Sequence, residues 1–229
     1  MLLSEFILGI LGLAVGSFIG ALTYRLPRRK DIFLGRSFCP KCKKKIFWYD
    51  NIPILSYFLL GRKCRNCKEK ISWRYPAIEL ATGIGFVIIG SNLVYLLLFI
   101  LTFTIFVIDL EHQIIPDSIT FIIFIIVITV ILGQNNFYQN LASGFLAASF
   151  FLAINLITRG RGMGLGDAKL AIPLGTFLGF PEVTYWLLGS FIIGAFVGLV
   201  LVFLGRAKFG KPIPFGPFLI VSFWISVLL

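Results

Sequence analysis

The segment Arg159–Leu170 reads RGRGMGLGDAKL and lies between two long apolar runs. Its only acid, Asp167, follows four closely spaced glycines. Glycine tolerates backbone angles that other residues avoid, so such a segment allows the chain to bend or to approach a ligand closely. A charged group inside a hydrocarbon layer costs about 2.5–3.5 kcal/mol on insertion scales at the centre of a helix, and less at its edge. The segment therefore indicates a functional acid at the edge of a membrane.

The amino-acid composition is that of a membrane protein with several crossings. Of the 229 residues, 58% are hydrophobic and only 14% are charged, whereas a soluble domain carries about 25% charged residues. Several apolar runs approach the roughly 20 helical residues that cross a bilayer. The sequence therefore predicts an all-α polytopic membrane protein of about eight transmembrane helices, with a small polar insert after the first helix.

The predicted crossings divide the chain into three regions. Residues 1–26 form the first transmembrane helix, residues 27–75 the polar insert, and residues 76–229 the transmembrane core. The sixth crossing is short and contains Pro173, so we expect it to be kinked or only partly inserted. The eight crossings are Glu5–Tyr24, Pro76–Gly90, Leu93–Ile108, Ile119–Leu132, Leu141–Thr158, Leu170–Phe180, Thr184–Leu204 and Ile213–Leu229.

Positive charge is concentrated in one part of the chain. The net charge is +11, and 15 of the 21 Lys and Arg residues lie between Arg25 and Arg74. No reading helix or stacking module is recognisable there, so the sequence does not favour nucleic-acid binding. In membrane proteins, positively charged loops stay in the cytoplasm. Eight crossings with both termini outside put all 21 positive residues on the cytoplasmic side or at its edge.

Four cysteines give the insert the spacing of a structural zinc site. Disulfides are disfavoured in the cytoplasm, and two CxxC pairs present four thiolates to one tetrahedral Zn²⁺ ion. The metal would supply much of the folding free energy of so short a module, and four thiolates leave no open position for catalysis. The alternative is four reduced cysteines without a metal. The predicted ligands are Cys39, Cys42, Cys64 and Cys67.

Two features near the insert have more than one interpretation. The apolar segment Asp50–Leu60, between the CxxC pairs, suits the membrane surface, packing against the helices, or the core of the insert itself. Glu79 falls near the inner end of the second crossing. Pairing with a neighbouring Arg or Lys is favoured there over a catalytic role.

A second acidic stretch, Asp109–Asp117, lies between two apolar runs and reads DLEHQIIPD. We expect Asp117 to be the N-cap of the following helix. Glu111 and His112 are expected to be solvated loop residues, and a single histidine gives no metal site. Asp109 differs from these residues because it stands at the end of a crossing without an evident capping role.

The predicted topology places Asp109 and Asp167 at the same depth, each at the cytoplasmic end of a crossing. Two carboxyl groups brought close cannot both ionise cheaply, so one acts as an acid and the other as a base for water. This arrangement hydrolyses peptide bonds without a metal or a covalent intermediate. A GxSxG serine and a Walker A loop are absent from the sequence.

The two acids also allow other interpretations. They can form charge pairs with Arg159, Arg161 or Lys169, or they can line a cation pathway in a transporter. Spacing in the sequence does not by itself bring the two carboxyl groups together.

Several ordered motifs resemble the type IV prepilin peptidases of the GxGD membrane aspartyl protease group. Gly164–Asp167 reads GLGD within the longer match Gly162–Leu170, and Asp109–Asp117 is similar to the other acidic motif of the family. The insert Cys39–Glu79 resembles the cytoplasmic domain of bacterial members, and Pro214–Phe218 matches near the C-terminus. The match departs in Gly20, where many members have Asn, and in Pro173.

The resemblance implies an enzyme of the bacterial inner membrane with its active site at the cytoplasmic face. It implies cleavage of the short basic leader of prepilins and pseudopilins, with Asp109 and Asp167 as the catalytic pair. Bacterial members also N-methylate the new terminus with S-adenosylmethionine. No motif for that cofactor is readable, so Glu79 and Arg74 are only candidates for its binding. The rival hypothesis is a transporter or assembly factor without enzymatic activity.

The expected partners are therefore prepilin substrates and membrane lipid. Because the leader and the insert are both basic, direct attraction between them is not expected. We expect the insert to engage anionic lipid headgroups instead.

Overall fold

The computed structural model describes residues 2–28, 37–205 and 213–229. Over these ranges the chain is almost entirely helical and contains no strand longer than an isolated bridge. The prediction of an all-α fold is therefore confirmed. The helices are α1 (Leu2–Arg25), α2 (Leu55–Leu59), α3 (Arg74–Ile89), α4 (Leu93–His112), α5 (Asp117–Ile131), α6 (Phe137–Ile157), α7 (Leu165–Leu178), α8 (Glu182–Phe203) and α9 (Gly216–Leu228).

Each of the eight predicted crossings coincides with one helix, but only some of these helices have the length and composition to cross a membrane. In the described part of the chain four do so, and α5 and α9 are apolar but shorter. That all eight helices cross the bilayer stays a prediction. The division of the chain into a first helix, an insert and a transmembrane core, with boundaries at residues 26 and 75, also stays a prediction. The four helices are Leu3–Arg28, Leu93–His112, Phe137–Ile157 and Glu182–Phe203.

Helix α8 illustrates why these helices suit a lipid environment. Large apolar side chains recur along one face of it and are exposed, among them Ile192 at 68%, Phe196 at 67% and Leu199 at 54%. A stripe of this kind would be costly in water and is favourable against lipid tails. Polar side chains on the opposite face are satisfied internally. Ser190 donates to the carbonyl oxygen of Trp186, and the Trp186 indole donates to the carbonyl oxygen of Leu219.

The chain divides into two compact units, one ending at Ile100 and the other beginning at Leu101. In the first unit, α1 packs against α3 through glycines. A Cβ on Gly12 would lie 2.8 Å from the Cα of Gly83, and a Cβ on Gly16 would lie 2.7 Å from the Cα of Glu79. Larger residues at these positions would separate the helices, as expected for small-residue packing in membranes.

The second unit is built in the same way around α6 and α7. A methyl group on Gly144 would collide with the carbonyl oxygen of Ile172, and one on Gly175 would lie 3.0 Å from the Cα of Gly144. Pro173 lies within α7, which nevertheless continues to Leu178. In the first turn of α7, Asp167 is buried whereas Leu165 is 54% exposed, so the GxGD motif lies at the edge of the unit.

Several predicted boundaries differ from the structure, and the three largest differences extend a helix into a predicted loop. Helix α4 runs to His112, so the expectation that Glu111 and His112 are loop residues is wrong. Helix α7 begins at Leu165, so Asp167 lies in a helix and not in a flexible segment. Helix α6 begins at Phe137, earlier than predicted. Polar side chains at helix ends look like loop in a hydropathy pattern, because that pattern detects only the apolar part of a helix.

The N-cap role predicted for Asp117 is also wrong. Pro116 occupies the N-cap position, Asp117 is the first helical residue, and no side chain caps the helix. The Asp117 carboxylate instead forms an ion pair with Lys169, with 2.8 Å between Nζ of Lys169 and Oδ1 of Asp117. Arg29 and Lys30, which follow the first helix, and the basic residues Arg206, Lys208 and Lys211 lie outside the described residues.

Candidate functional sites

Asp109 lies near the C-terminal end of α4 and is almost completely buried, with 5% of its surface exposed. Its Oδ2 atom is buried and has no hydrogen-bond partner of adequate geometry among the described residues. The same atom lies directly against Gly216, where a Cβ would approach it to 2.6 Å. Gly216 is the first residue of α9, so the positive end of that helix dipole is next to the carboxylate. The absence of a side chain at residue 216 allows this approach.

Asp167 is the third residue of α7 and is 7% exposed. Its Oδ2 accepts a hydrogen bond of 3.1 Å from the backbone N–H of Gly164, the N-cap residue. This is the carboxylate half of a capping box, and it fixes the rotamer of the acid. The first and last residues of the GxGD motif therefore act together at the start of α7: Gly164 is the N-cap residue, and Asp167 accepts a hydrogen bond from its N–H.

The structure places Asp109 and Asp167 in the same part of the second unit. Asp109 lies against Gly216, and Asp167 follows Gly166 directly in the chain. Ile115 packs against both glycines that flank the acids: a Cβ on Gly166 would lie 3.1 Å from the Cβ of Ile115, and one on Gly216 would lie 3.3 Å from its Cδ1. The connection between α4 and α5 thus joins the segments that hold the two acids.

Lys169 was one of three basic residues considered as charge partners for Asp109 and Asp167. In the structure its ammonium group donates to both carboxylate oxygens of Asp117. This ion pair is exposed, with 54% of the Lys169 side chain and 71% of the Asp117 side chain accessible. Such a pair contributes about 0–1 kcal/mol to stability. Arg159 and Arg161 are exposed residues of the glycine-rich loop.

Two residues of the last turns of α6 hold the glycine-rich loop, and the sequence interpretation missed both. The side-chain amide of Asn155 donates to the carbonyl oxygen of Met163 at 2.5 Å, and the backbone carbonyl oxygen of Asn155 accepts from the N–H of Gly160 at 2.7 Å. The hydroxyl of Thr158 accepts a 3.0 Å hydrogen bond from the N–H of Gly162. The sequence does contain a signal for these contacts, because Asn and Thr at the end of an apolar helix often form hydrogen bonds to the backbone of the loop that follows.

In the first unit, the four predicted metal ligands form one cluster, and the structure could accommodate a metal ion there. Their sulfur atoms all lie within 4.8 Å of one another, and Cys39 and Cys67 are 3.8 Å apart. Zn–S bonds of about 2.3 Å in a tetrahedron put sulfur atoms about 3.8 Å apart. The donor set and its geometry therefore fit Zn²⁺.

Both CxxC pairs adopt the same backbone structure. The N–H of Cys39 donates to Lys44 at 3.0 Å, and the N–H of Cys64 donates to Glu69 at 2.8 Å. Lys43 and Lys68, the residues after the second cysteine of each pair, have φ values of 57° and 58°. The insert thus presents two equivalent turns, each of which contributes two thiols to the cluster.

The turn that contains Cys64 favours its metal-binding form. Backbone N–H groups of Cys67 and Asn66 lower the pKa of the Cys64 thiol to about 7. Because the thiolate is the form that binds a metal, this turn prepares one ligand at neutral pH.

Glu79 and Arg74 have partners other than those predicted. Glu79 Oε2 accepts a 2.7 Å hydrogen bond from the backbone N–H of Ile54, so its predicted pairing with Arg or Lys is replaced by a bond to the insert. Arg74 donates to the carbonyl oxygen of Gly20 at 3.1 Å and to the hydroxyl of Thr23 at 2.6 Å. Arg74 therefore ties the start of α3 to α1.

The segment Asp50–Leu60 combines two of its predicted roles. Tyr57 is buried, and the Ile54 N–H binds Glu79 of α3, so one side packs within the unit. On the other side Phe58 and Leu59 are 55% and 76% exposed. This exposed apolar side suits a membrane surface.

Two family models match successive parts of the chain. Residues 10–93 match the model described as the bacterial peptidase A24 N-terminal domain, and residues 96–199 match the type IV leader peptidase family. No solved structure matches the chain significantly.

Curated relatives match over almost the full length. A Vibrio cholerae protein named prepilin leader peptidase/N-methyltransferase is 36% identical, over 94% of this chain and 93% of the relative. The protein of the same name from Legionella pneumophila is 33% identical, over 96% and 90%. That from Pseudomonas aeruginosa is 31% identical, over 96% and 88%. The similarity covers both the cysteine insert and the segments that contain the two acids.

Proposed function

The chain belongs to the type IV leader peptidase family, and on that premise we propose that it is a membrane aspartyl endopeptidase. Its substrates are type IV prepilins and pseudopilins, from which it removes the short basic leader. It then N-methylates the new terminal residue. This function serves type IV pilus assembly and protein secretion.

The observation that supports the peptidase activity is the placement of two buried acids, Asp109 and Asp167, next to glycines that both lie beside Ile115. Two adjacent carboxyl groups in an apolar setting share one proton. The charged carboxylate takes a proton from water as the water attacks the scissile carbonyl carbon. The protonated carboxyl group donates to the carbonyl oxygen, and the leaving amine receives a proton when the C–N bond breaks.

Substitution of each acid tests this role. Asp109→Asn and Asp167→Asn keep the size of the side chain but remove the shared proton. We expect each to lower the rate of leader removal by about 10³-fold or more, because the one remaining carboxyl group cannot serve as acid and base at the same time. The assay follows cleavage of a purified prepilin by the detergent-solubilised full chain, using mass spectrometry.

The matched control is Asp117→Asn, which removes an exposed acid of the same stretch and should change the rate by no more than about threefold. Retained cleavage in either of the first two variants would exclude that residue from the mechanism. A loss of activity in all three variants would point instead to a general effect of charge.

We assign zinc to the four-cysteine cluster as a structural ion. The sulfur geometry supports this assignment, and four thiolates leave no position for water or substrate. In this function the ion holds the two turns of the insert together. The residues that bind it are Cys39, Cys42, Cys64 and Cys67.

For methylation the donor is S-adenosylmethionine, which supplies a methyl group on a sulfonium centre. The relatives are named prepilin leader peptidase/N-methyltransferase, and this similarity supports the activity. Mass spectrometry of the mature pilin measures it as a gain of one methyl group that depends on the donor.

We propose that the protein is a multi-pass protein of the bacterial inner membrane, with Asp109 and Asp167 at the cytoplasmic face. The positive residues near the insert and the absence of Lys and Arg from Gly133–Asn140 support this orientation. Cysteine labelling tests it in a background without the native cysteines. Lys63→Cys should react only from the cytoplasm and Asn135→Cys only from outside, and the reverse pattern would reject it.

The insert is proposed to engage anionic lipid. Its basic residues and the exposed Phe58 and Leu59 support this proposal. Equal affinity of the purified chain for neutral and anionic nanodiscs would reject it.

A further inference from the structure

A cavity of about 290 Å³ lies within the first unit, between α1, α3 and the insert. It is near the lower end of the roughly 300–1,000 Å³ range of small-molecule sites. Positive residues outnumber negative ones in its lining, and a cleft with walls of one sign attracts ligands of the opposite charge. The cations are Arg25, Lys41, Lys44, Lys45, Arg65 and Lys70, and the acids are Asp50, Glu69 and Glu79.

The three acids of this lining already have partners. The carboxylate of Asp50 accepts hydrogen bonds from Arg65 at 2.6 and 2.8 Å. Glu69 lies 3.5 Å from the ammonium nitrogen of Lys41. Glu79 accepts a hydrogen bond from a backbone N–H of the insert. Each of the two ion pairs removes one cation and one acid, so the remaining cations still outnumber the remaining acid.

Two of the remaining cations come from equivalent positions of the two CxxC turns. Lys45 is the third residue after Cys42, and Lys70 is the third residue after Cys67. Each of these lysines belongs to the β-bridge that closes its turn. Neither forms an ion pair within the described part of the chain, and the same holds for Lys44. The repeated turn therefore brings a lysine from each half of the cysteine module to one cavity.

A largely buried tyrosine adds a neutral hydrogen-bond donor. Tyr57 lines the cavity and is only 7% exposed, with its ring edge-on to Phe58 and Trp73. Its hydroxyl forms no hydrogen bond within residues 2–28, 37–205 and 213–229. This hydroxyl is therefore available to a ligand, and an O–H donor to a charged oxygen forms a strong hydrogen bond.

The cavity lies at the level expected for lipid headgroups. Helix α1 has the length and composition to cross a membrane, and the cavity adjoins the end that carries Tyr24 and Arg25. Aromatic and positive residues at the end of a crossing mark the membrane interface. Phe18 of α1 and Leu80 of α3 are sequence neighbours of lining residues and are exposed, which provides apolar surface for acyl chains.

We propose that this cavity binds the phosphate group of an anionic phospholipid, with Lys45, Lys70 and Tyr57 as donors. The inference rests on the proposed engagement of anionic lipid by the insert and names the residues that serve it. The headgroup occupies the cavity, and the acyl chains follow the exposed faces of α1 and α3. A zwitterionic lipid also carries a phosphate, but it brings a positive group among the lining cations and binds more weakly.

The first variant is the double substitution Lys45→Gln and Lys70→Gln in the full chain. Native mass spectrometry of the delipidated protein in detergent measures its affinity for phosphatidylglycerol and phosphatidylcholine. We expect the unmodified protein to prefer phosphatidylglycerol. The double substitution should lower the affinity for phosphatidylglycerol by at least about tenfold and that for phosphatidylcholine by less than about threefold. An unchanged preference would overturn the proposal.

The matched control is the double substitution Lys43→Gln and Lys68→Gln. It makes the same change in net charge, at exposed and equivalent positions of the same two turns, but neither residue lines the cavity. It should retain most of the preference for phosphatidylglycerol. An equal loss in both double variants would show attraction to the overall charge of the insert and would overturn binding in the cavity.

Tyr57→Phe tests the site without any change in charge. It keeps the ring between Phe58 and Trp73 and removes only the hydroxyl. We expect phosphatidylglycerol to bind at least about threefold more weakly, because a hydrogen bond to a charged oxygen is lost. The control is Tyr49→Phe, at an exposed position of the insert outside the cavity lining, which should bind normally. Normal binding by the Tyr57→Phe variant would contradict the placement of the phosphate.

The same phosphate chemistry also occurs in soluble compounds, and competition distinguishes the two sources. Glycerol 3-phosphate and inorganic phosphate present the charged group without acyl chains. At about tenfold molar excess, neither should displace bound phosphatidylglycerol from the unmodified protein, because both lack the apolar contacts. Displacement by either would assign the cavity to a soluble phosphate and would reject a lipid.

These measurements separate the inference from the proposed lipid engagement. If the unmodified protein has no preference for phosphatidylglycerol, the engagement of anionic lipid fails and the inference fails with it. If the preference is present and the Lys45→Gln, Lys70→Gln double variant and the Tyr57→Phe variant retain it, only binding in this cavity is rejected.

Discussion

The Oδ2 atom of Asp109 lies against the Cα of Gly216, so closely that a Cβ at residue 216 would approach it to 2.6 Å. This contact joins the end of α4 to the first residue of α9. It also explains why the motif near the C-terminus contains glycine at this position. The position of Asp109 therefore depends on Gly216, a residue without a side chain.

Gly216→Ala should impair cleavage through the position of Asp109. The added methyl group must displace the carboxylate or the start of α9, and misplacement of a catalytic group by about 1 Å can cost about 10²-fold in rate. We expect the rate constant for cleavage to fall by about 10–100-fold, measured by single turnover with a purified prepilin.

Gly198→Ala provides the matched control for this change. It places the same methyl group in α8, where the nearest side-chain atom, Cδ1 of Ile213, would be 3.9 Å away. It should cleave at the normal rate. Equal rates for the Gly216→Ala variant and the unmodified protein would show that the contact does not position Asp109.

Asn155→Ala should loosen the loop that leads into the GxGD motif. The variant loses the hydrogen bond to the carbonyl oxygen of Met163, a contact worth about 1–3 kcal/mol when the group left behind is buried. We expect a lower kcat with little change in KM, together with faster hydrogen exchange in the segment 160–166. Exchange followed by mass spectrometry measures the second effect directly.

The control for this loop is Asn135→Ala, at an exposed position of the connection between α5 and α6. It should leave both kcat and the exchange rates unchanged. Unaltered exchange in the Asn155→Ala variant would reject a positioning role for Asn155.

Removal of the metal should unfold the insert and leave the transmembrane helices in place. Because the insert is short, metal coordination provides most of its stability. We expect a strong chelator, or Cys39→Ser, to lower bound zinc from about one ion per chain towards zero. Proteases should then cut between the two CxxC turns, while the helical circular dichroism falls only slightly.

Ser37→Ala, two residues before Cys39, is the corresponding control and should retain the ion. Zinc content measured by inductively coupled plasma mass spectrometry decides the outcome. Full zinc occupancy in the Cys39→Ser variant would contradict the four-cysteine site.

Gly16→Ala should destabilise the packing of α1 on α3. Its Cβ would lie 2.7 Å from the Cα of Glu79, a backbone atom that cannot move independently of its helix. Overpacking of this kind costs about 1–3 kcal/mol. The expected result is a lower unfolding temperature of the detergent-solubilised protein.

Gly9→Ala is the control in the same helix, because its Cβ would make an ordinary 3.5 Å contact with Val87. A thermal scan of both variants gives the comparison. Similar unfolding temperatures would show that α1 and α3 are not closely packed at Gly16.

The sequence predicted the helices well and their ends less well. Apolar runs located eight helices, but polar turns at helix ends were taken as loop: His112 lies in the last turn of α4 and Asp167 in the first turn of α7. Helix ends depend on capping and on tertiary contacts, which a hydropathy pattern does not contain. The side-chain partners of Asp117 and Glu79 were missed for the same reason, since Lys169 and the Ile54 N–H are distant in sequence.

Composition and motif order were enough to determine the class of protein, the four-cysteine cluster and the family. Those properties depend on local features: the hydrophobicity of a run, the spacing of two cysteines, and the order of short motifs along the chain. Only the tertiary structure placed Gly216 against the carboxylate of Asp109, and Glu79 beside the backbone N–H of Ile54. The physical reason is that close helix packing depends on the shapes of both surfaces. Glycines such as Gly16 and Gly216 allow contacts that no periodicity in the sequence records.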